Sequence, residues 1–391
     1  MANWRNTTLG SELTFQRGFD ITKKAQSDGE YWVISSSGPS SKHFEAKVKG
    51  SGVLIGRKGT LGTVFFSLND YWPHDTTLWV KDFHGNDERF AYYFLQTLRL
   101  EQYDVGASNP TLNRNHIHLL PVLYPQPSIQ RRIAAVLSAY DDLIENNQRR
   151  IAILEELARS LYREWFVEFR FPGHENVEIV EREGRRVPEG WQITELGKLA
   201  REIRRGINPE DIAPETPYVG LEHIPRRSIT LSDWGEAREV QSTKLRFKKG
   251  EILFGKIRPY FHKVSVAPIE GVCSSDTIVI VANDSTGFPL VLSCVSSEAF
   301  VEHATQTSQG TKMPRANWDI LVKYSVPVPP SSLLAQFQHL ITDIVEQTQN
   351  LMFRNRNLRR TRDLLLPRLV SGELDVSELE IVGVEEVEAA P

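Results

Sequence analysis

Residues Ser128–Phe166, SIQRRIAAVLSAYDDLIENNQRRIAILEELARSLYREWF, decide the fold. Apolar side chains fall at Ile133, Val136, Tyr140, Leu143, Ile151, Leu154, Ala158, Leu161 and Trp165, in steps of mostly three and four. That spacing keeps one side chain per turn on a single helix face. Asn147 lies in the seam four residues from Leu143 and four from Ile151, a stutter-like shift that should unwind the seam locally. One unbroken helix over this stretch would run roughly 58 Å at 1.5 Å per residue, more than a single globular domain of this size needs. Its stripe calls for a partner of similar length. Leu333–Val370 supplies one, with Phe337, Leu340, Ile344, Leu351, Leu358, Leu365 and Leu369 in the stripe and Asn355 again in the seam.

The two helices close the two halves of an internal repeat of about 200 residues. Trp4 and Thr8-Leu9-Gly10 match Trp191 and Glu195-Leu196-Gly197, and Arg17-Gly18 matches Arg205-Gly206. Val53-Leu54-Ile55-Gly56-Arg57 matches Ile252-Leu253-Phe254-Gly255-Lys256. Asp75-Thr76-Thr77-Leu78 matches Asp276-Thr277-Ile278 with a one-residue slip, and Gly106, Pro110 and Asn113 match Gly310, Pro314 and Asn317. Features in the same order twice point to a duplicated domain rather than a short solenoid unit. Within each half, short β-branched and aromatic runs between Gly, Pro, Ser and Asn clusters read as strands: Tyr31–Ile34, Gly52–Ile55, Thr63–Phe66 and Thr77–Val80, then Glu251–Phe254, Val264–Ala267 and Thr277–Ala282. Arg89–Gln102 and Pro289–Glu302 read as helices. Prolines at 121, 125 and 127, and at 327, 329 and 330, lead into the long helices, with Ser128 and Ser331 as caps. Pro367 is expected to kink or end the second one.

The expected architecture is therefore α/β, of the mixed α+β kind. Two similar globular domains are separated by two long antiparallel helices forming a coiled coil, with pseudo-two-fold symmetry. The first domain spans 1–127, the central helix 128–170, a linker 171–190, the second domain 191–330, the C-terminal helix 331–371 and an acidic flexible tail 372–391. The interface between helices is expected to hold Ile133, Val136, Tyr140, Leu143, Asn147, Leu154 and Leu161 against Leu340, Ile344, Leu351, Asn355, Leu358 and Leu365. The asparagines would act as polar register marks. The alternative is that each helix packs on its own domain and leaves them exposed.

Composition is that of an ordinary globular protein, 40% hydrophobic and 25% charged. Two cysteines are too few for a disulfide framework or a zinc site, and they read as buried thiols of a reducing cytosol. Met1–Gly10 is polar and no run reaches the ~18 apolar residues of a membrane span, so a cytoplasmic location is expected. Seven acidic residues and no basic one lie in Ser371–Pro391; taking those seven from the net −4 leaves +3 on the rest of the chain. DNA binding is compatible with that charge only if the cations are clustered.

Catalytic signatures are missing. Gly56-Arg57-Lys58-Gly59-Thr60 resembles a phosphate loop only in composition, and no dinucleotide turn or HExxH motif occurs. Val326-Pro327-Val328-Pro329-Pro330 lacks the flanking residues of an amino-methyltransferase Asn-Pro-Pro-Tyr site. His116 and His118 suit one face of a strand but have no third metal ligand close by. The cations, by contrast, cluster in loops beside the strands. Lys42, His43, Arg57, Lys58 and Arg114 in the first half, with Arg204, Arg205, Lys256, Arg258, Lys312 and Arg315 in the second, are the candidates for DNA contact. Arg57 and Lys58 are set against Lys256 and Arg258, and Arg114 against Arg315. Small residues near them let a backbone approach a phosphate, and Arg, Lys and Asn donors reach base edges.

Residues 1 to about 375 resemble a type I restriction–modification specificity subunit. Gln16-Arg17-Gly18-Phe19-Asp20, Ile55-Gly56-Arg57-Lys58-Gly59-Thr60-Leu61-Gly62, Trp72-Pro73-His74-Asp75-Thr76-Thr77 and Gln130–Leu137 carry the resemblance in the first half. Phe254–Tyr260 and Leu364–Leu374 carry it in the second. The resemblance implies that each globular unit is a target recognition domain reading half of a gapped site in double-stranded DNA, with the helix pair as spacer. It implies two methyltransferase (modification) subunits and restriction subunits as partners, and no membrane. S-adenosylmethionine, ATP and Mg would belong to those partners, leaving this chain non-catalytic. The competing readings are a coiled-coil scaffold that reads no DNA and an enzyme acting alone.

Overall fold

The structure, a computed structural model, describes residues 4–104, 110–182, 184–284 and 287–379. Its contacts divide into two units, Met1–Ile144 with Asn357–Pro391, and Glu145–Arg356. The division falls inside both long helices. No helix among the described residues is long and apolar enough to cross a membrane.

The first unit is built on a four-stranded antiparallel sheet ordered Thr14–Arg17, Thr77–Asp82, Gly52–Gly56, Val64–Ser67. Gly52–Gly56 is buried throughout, which explains why its sequence is a continuous apolar run rather than an alternating one. A second sheet pairs Tyr31–Ser35 antiparallel with Gly38–His43 and parallel with Tyr71–Pro73. Trp4–Thr8 and Pro121–Pro125 form a ribbon that the proline-rich sequence did not announce. Asp87 caps the helix Glu88–Thr97 by accepting from the Phe90 N–H at 2.8 Å. That helix stops short of Gln102 because Arg99 takes a left-handed φ of +46°, and Leu100–Tyr103 continues as a 3₁₀ turn.

The second unit repeats the four-stranded sheet and the ribbon and enlarges the second sheet from three strands to five. Its antiparallel sheet runs Ala200–Glu202, Thr277–Ala282, Ile252–Gly255, Val264–Val266, the same order with the same partners. Pro217–Val219 runs parallel to Gly271–Cys273, as Tyr31–Ser35 does to Tyr71–Pro73. Gln192–Glu195 and Ser325–Val328 form the matching ribbon. The helix expected over Pro289–Glu302 is two helices, Phe288–Val295 and Glu298–Gln306. Ser297 breaks the run by turning extended and capping the second, accepting from the Phe300 N–H at 3.2 Å. Residues 171–190, expected to be a linker, contain a hairpin of Ile179–Arg182 and Arg185–Pro188 whose Val187 is buried with Phe171 and Trp191. Cys273 and Cys294 are both buried, and burial pushes their thiols up to about 12.

The long helices are Pro127–Tyr162, followed by a π-helical turn Arg163–Val167, and Ser331–Val370. The wider turn places the adjacent rings Trp165 and Phe166 both in the core, and Phe169, at φ +54°, ends the helix. Pro367 does not end the second helix, which runs on to Val370.

Each unit's core holds the start of one long helix and the end of the other. In the first unit Ile129, Ile133, Ala134 and Leu137 are buried with Leu369 and Val370. In the second, Leu333, Phe337, Ile341 and Ile344 are buried with Ala158, Tyr162, Trp165 and Phe166. The helices run antiparallel in both. Arg362 bonds Asp141 in the first unit, and Asn147 donates to Asn355 at 2.9 Å in a buried contact in the second. Leu351 is buried beside them, while Val136, Tyr140, Leu154, Leu161, Leu358 and Leu365 are half-buried. Leu143 and Leu340 are corrections to the expected seam: they are 51% and 40% exposed, and their neighbours Ile144 and Ile341 are the buried residues. The acidic C-terminal segment is not solvated from its start. Val376 is buried in the first unit's core, and Arg132 Nη1 donates to the carbonyls of Ser377 and Leu379. Glu380, Glu385, Glu386 and Glu388, like Gly106, lie outside the described residues.

Candidate nucleic-acid interface

In the first unit, strand Gly52–Gly56 leads into a tight turn. A Cβ on Gly56 would lie 2.0 Å from the Thr60 carbonyl oxygen, and Gly59 sits at φ +80°, so the chain can reverse only with glycine at both places. The turn presents Arg57 and Lys58, whose N–H groups both donate to the Thr76 carbonyl, at 2.8 and 3.1 Å. Beside it opens a groove of about 600 Å³ lined by Gln16, Arg17, Asp20, Lys47, Trp72 and Arg114, among others. Arg17 Nη2 donates to Asp75 Oδ2 at 2.7 Å, and Arg57 Nη1 donates to the Asp75 carbonyl at 3.4 Å. Burial and the neighbouring Arg17 charge both pull the Arg57 guanidinium down from its usual value, a sign of how closely the cations are gathered.

The second unit builds a groove of about 400 Å³ at the corresponding place, with Arg204, Lys256, Gln309, Arg315 and Asn317 on its walls. The Lys256 N–H donates to the Asp276 carbonyl at 2.9 Å, and the Lys256 carbonyl accepts from the Ala316 N–H at 2.9 Å, just as Arg57 accepts from Leu112. Arg315 Nε lies 3.6 Å from Asp276 Oδ1. Arg258 holds a left-handed φ of +49°, the conformation that Gly59 supplies in the first unit.

Among the remaining candidates, Lys58 and Lys312 are exposed beside the grooves, and Lys42 lies over the exposed Trp32 ring at 5.2 Å. His43 is no surface contact. It is buried, packs against Phe44 and Trp72, and accepts from the Ser27 N–H at 3.2 Å. Arg205 gives a double hydrogen bond to Glu251, at 2.8 and 2.7 Å, and that carboxylate is buried. Its role is structural. Arg205→Ala is expected to lower stability by roughly 2 kcal/mol, discounted because the arginine is one-third exposed, by stranding the buried Glu251. Denaturant unfolding checks this, and an unchanged midpoint with lost DNA binding would return Arg205 to the interface. His116 and His118 lie on a short helix, Arg114–His118, not a strand. His118 Nε2 accepts from the Phe15 N–H at 3.0 Å, and burial with nearby Arg114 lowers its pKa. Asp20, His74 and Asp75 bring ligand-type atoms within 4.8 Å of one another, the one such cluster among the described residues, with Arg17 already on Asp75.

The chain is similar to known proteins in both sequence and fold. Residues 1–156 match the family described as type I restriction modification DNA specificity domain. The MjaIX type I restriction enzyme specificity subunit of Methanocaldococcus jannaschii is 27% identical over 381 residues, covering 92% of this chain and 87% of that protein. The EcoDI specificity subunit of Escherichia coli is 23% identical over 95% of this chain and 89% of its own length. Over most of its length the chain is similar to type I restriction–modification specificity subunits, and residues 1–156 carry the match to the specificity domain. The fold agrees: the crystal structure of the type I restriction–modification S subunit from M. genitalium matches with a TM-score of 0.63 at 16% identity, over 94% of this chain and 96% of that one.

Within this fold the duplicated halves keep most of their sequence matches and differ from them at two pairs of cations. Arg315 bridges to Ile257 as Thr111 does to Lys58, so Arg315 takes the place of Thr111 rather than of Arg114. Asn113 and Asn317 are equivalent caps, which puts Trp318 where Arg114 stands. Arg17 lies opposite Leu78. The pairing of Glu202 with Ile280, extended two residues, puts Arg204 opposite Ile278, so Arg204 and not Arg205 is the counterpart of Arg17. Arg17, Gln309 and Asn317 are groove residues absent from the sequence-based candidates. The repeat itself was the available signal for Arg17, because its match was already in view.

Proposed function

We propose that this chain is the sequence-specific DNA-binding specificity subunit of a type I restriction–modification complex, recognising a gapped, bipartite site. The observation that carries the reading is the basic groove beside the four-stranded sheet in each of two units, sheets that share one strand order. Each unit would read one half-site as a target recognition domain. The long helices would form an antiparallel coiled coil that fixes the gap, with Asn147 and Asn355 marking its register. Joining two readers in one chain makes the second contact effectively intramolecular, so modest affinity for each half suffices. Two methyltransferase subunits and restriction subunits would carry the chemistry, together with S-adenosylmethionine, ATP and Mg, and this chain none. The domain bounds proposed for these roles are those expected above, with 171–190 joined to the second domain.

Sequencing of methylated adenines tests the proposal. Cells without the gene should lose one gapped, two-part methylated motif. Removing whole helical turns between Ala139 and Leu161, with matching turns from the C-terminal helix, should shorten its gap and leave both half-site sequences alone. Persistence of the motif without the gene would sink the reading. Altered half-site bases in the shortened variant would sink the spacer role. Binding to DNA should also weaken steeply with salt, which a protein scaffold that reads no DNA would not show.

A further inference from the structure

We infer that Arg17 and Arg204 are base-reading residues, each aimed at a guanine edge by the carboxylate that holds it. The inference rests on the DNA-reading function above and names two of the residues that perform it.

Arg17 pairs with Leu78 of the central strand in the first sheet; in the second, the edge strand ends at Glu202 opposite Ile280, and Arg204, two residues on, lines the groove together with Ile278. Both side chains are largely open, 53% and 68% exposed, and each is tied to a carboxylate that is nearly buried, Asp75 at 16% and Glu202 at 12%. Arg17 donates through Nη2 to Asp75 Oδ2 at 2.7 Å. Arg204 reaches Glu202 Oε2 through Nε at 2.8 Å and Nη2 at 2.6 Å. The carboxylates come from different parts of the fold. Asp75 lies in the loop before a neighbouring strand, whereas Glu202 is two residues before Arg204 on the same chain segment. The same arrangement is thus reached by two routes.

A cation in such a groove meets either a phosphate or a base. A carboxylate at hydrogen-bond distance cancels the charge a phosphate would seek and itself repels the phosphate. Asp20, with an oxygen within 4.8 Å of the Asp75 and His74 ligand atoms, adds to that repulsion in the first unit. A guanine edge carries no net charge. It offers O6 and N7 as two acceptors in one plane, which match the planar fork of an arginine. A guanidinium holds more N–H donors than its carboxylate uses, and fixing its orientation beforehand reduces the freedom lost on binding. Arg114 and Lys256, on the same groove walls, remain for the backbone.

The full chain in complex with its methyltransferase partner, selecting from random duplexes, supplies the test. Arg17→Lys keeps the charge and loses the fork. It should cut the preference for one guanine in one half-site about tenfold or more, with every other position held. Arg204→Lys should do the same at one guanine in the other half-site. Asp75→Asn should relax the same position as Arg17→Lys, by a smaller factor, because Asp75 positions and does not read. A uniform fall in affinity with no relaxed position would make these arginines phosphate contacts and overturn the inference while leaving the function intact. Relaxation at a base other than guanine, or an Asp75→Asn variant with unaltered preference, would overturn it as well. A wild-type complex with no preference at any position would remove the DNA-reading function and this inference with it. Unchanged melting temperatures of the lysine variants confirm that folding is not what is measured.

Discussion

Phe337→Ala is expected to lower the stability of the second unit by about 3–5 kcal/mol, the range for deleting a fully buried aromatic side chain. Phe337 is 0% exposed. Its ring meets Phe166 at 4.6 Å, Trp165 at 5.7 Å and Tyr162 at 6.4 Å between centroids, so it joins the start of the C-terminal helix to the end of the central one. Those three rings sit in the same core as the strands Ile252–Gly255 and Thr277–Ala282. Small shifts cannot fill the hole, because the π-helical turn already commits both Trp165 and Phe166 to it. Denaturant unfolding with a probe on the second unit measures the loss. Ile133 holds the matching place in the first unit and is also 0% exposed. A loss below about 1 kcal/mol for Phe337→Ala would mean the helices are not held by this core.

Gln130→Ala should cost the first unit about 3–5 kcal/mol by a different mechanism, the stranding of buried polar groups at roughly 1–3 kcal/mol each together with a small cavity. Gln130 is fully buried near the start of the central helix. Its Nε2 donates to Asn86 Oδ1 at 2.7 Å and to the Pro125 carbonyl at 2.8 Å, and its Oε1 accepts from the Asp87 N–H at 2.8 Å. Asn86 in turn donates to the Glu12 carbonyl at 2.9 Å and to Glu12 Oε2 at 3.1 Å, and Arg5 clamps that carboxylate at 3.1 and 2.6 Å. The chain of contacts ties the helix to the ribbon and to the cap of Glu88–Thr97, so its loss should loosen the helix start. Unfolding of Gln130→Ala beside Gln130→Met separates the two contributions. Methionine fills the volume and leaves the same groups without partners, so it should recover little. Near-complete recovery would show that volume, not hydrogen bonding, sets the cost.

The strands were legible where pattern and burial coincide. Gly52–Gly56 and Thr77–Asp82 are short β-branched runs bounded by turn residues, and both appear within two residues of their expected limits. The ribbons were not legible, because Pro121–Pro125 reads as a breaker until Trp4–Thr8, more than a hundred residues earlier, pairs with it. Leu143 and Ile144 are adjacent and equally apolar. A helix stripe with steps of three and four admits either, and only the packing that surrounds them chose Ile144. The candidate site divides in the same way. Arg57 and Lys256 follow glycines of matching strands and stood out as a pair. His43 and Arg205 looked like surface charges because Trp72 and Glu251, which bury or bind them, lie far along the chain.

By itself the sequence determined that two like domains are each followed by a long amphipathic helix, since repeats and hydrophobic periodicity are properties of neighbouring residues. Only the tertiary structure decided which cations face a groove and which carboxylates hold them. A charged side chain takes its role from the partners within a few ångströms, and those partners are brought to it by strand pairing across the fold.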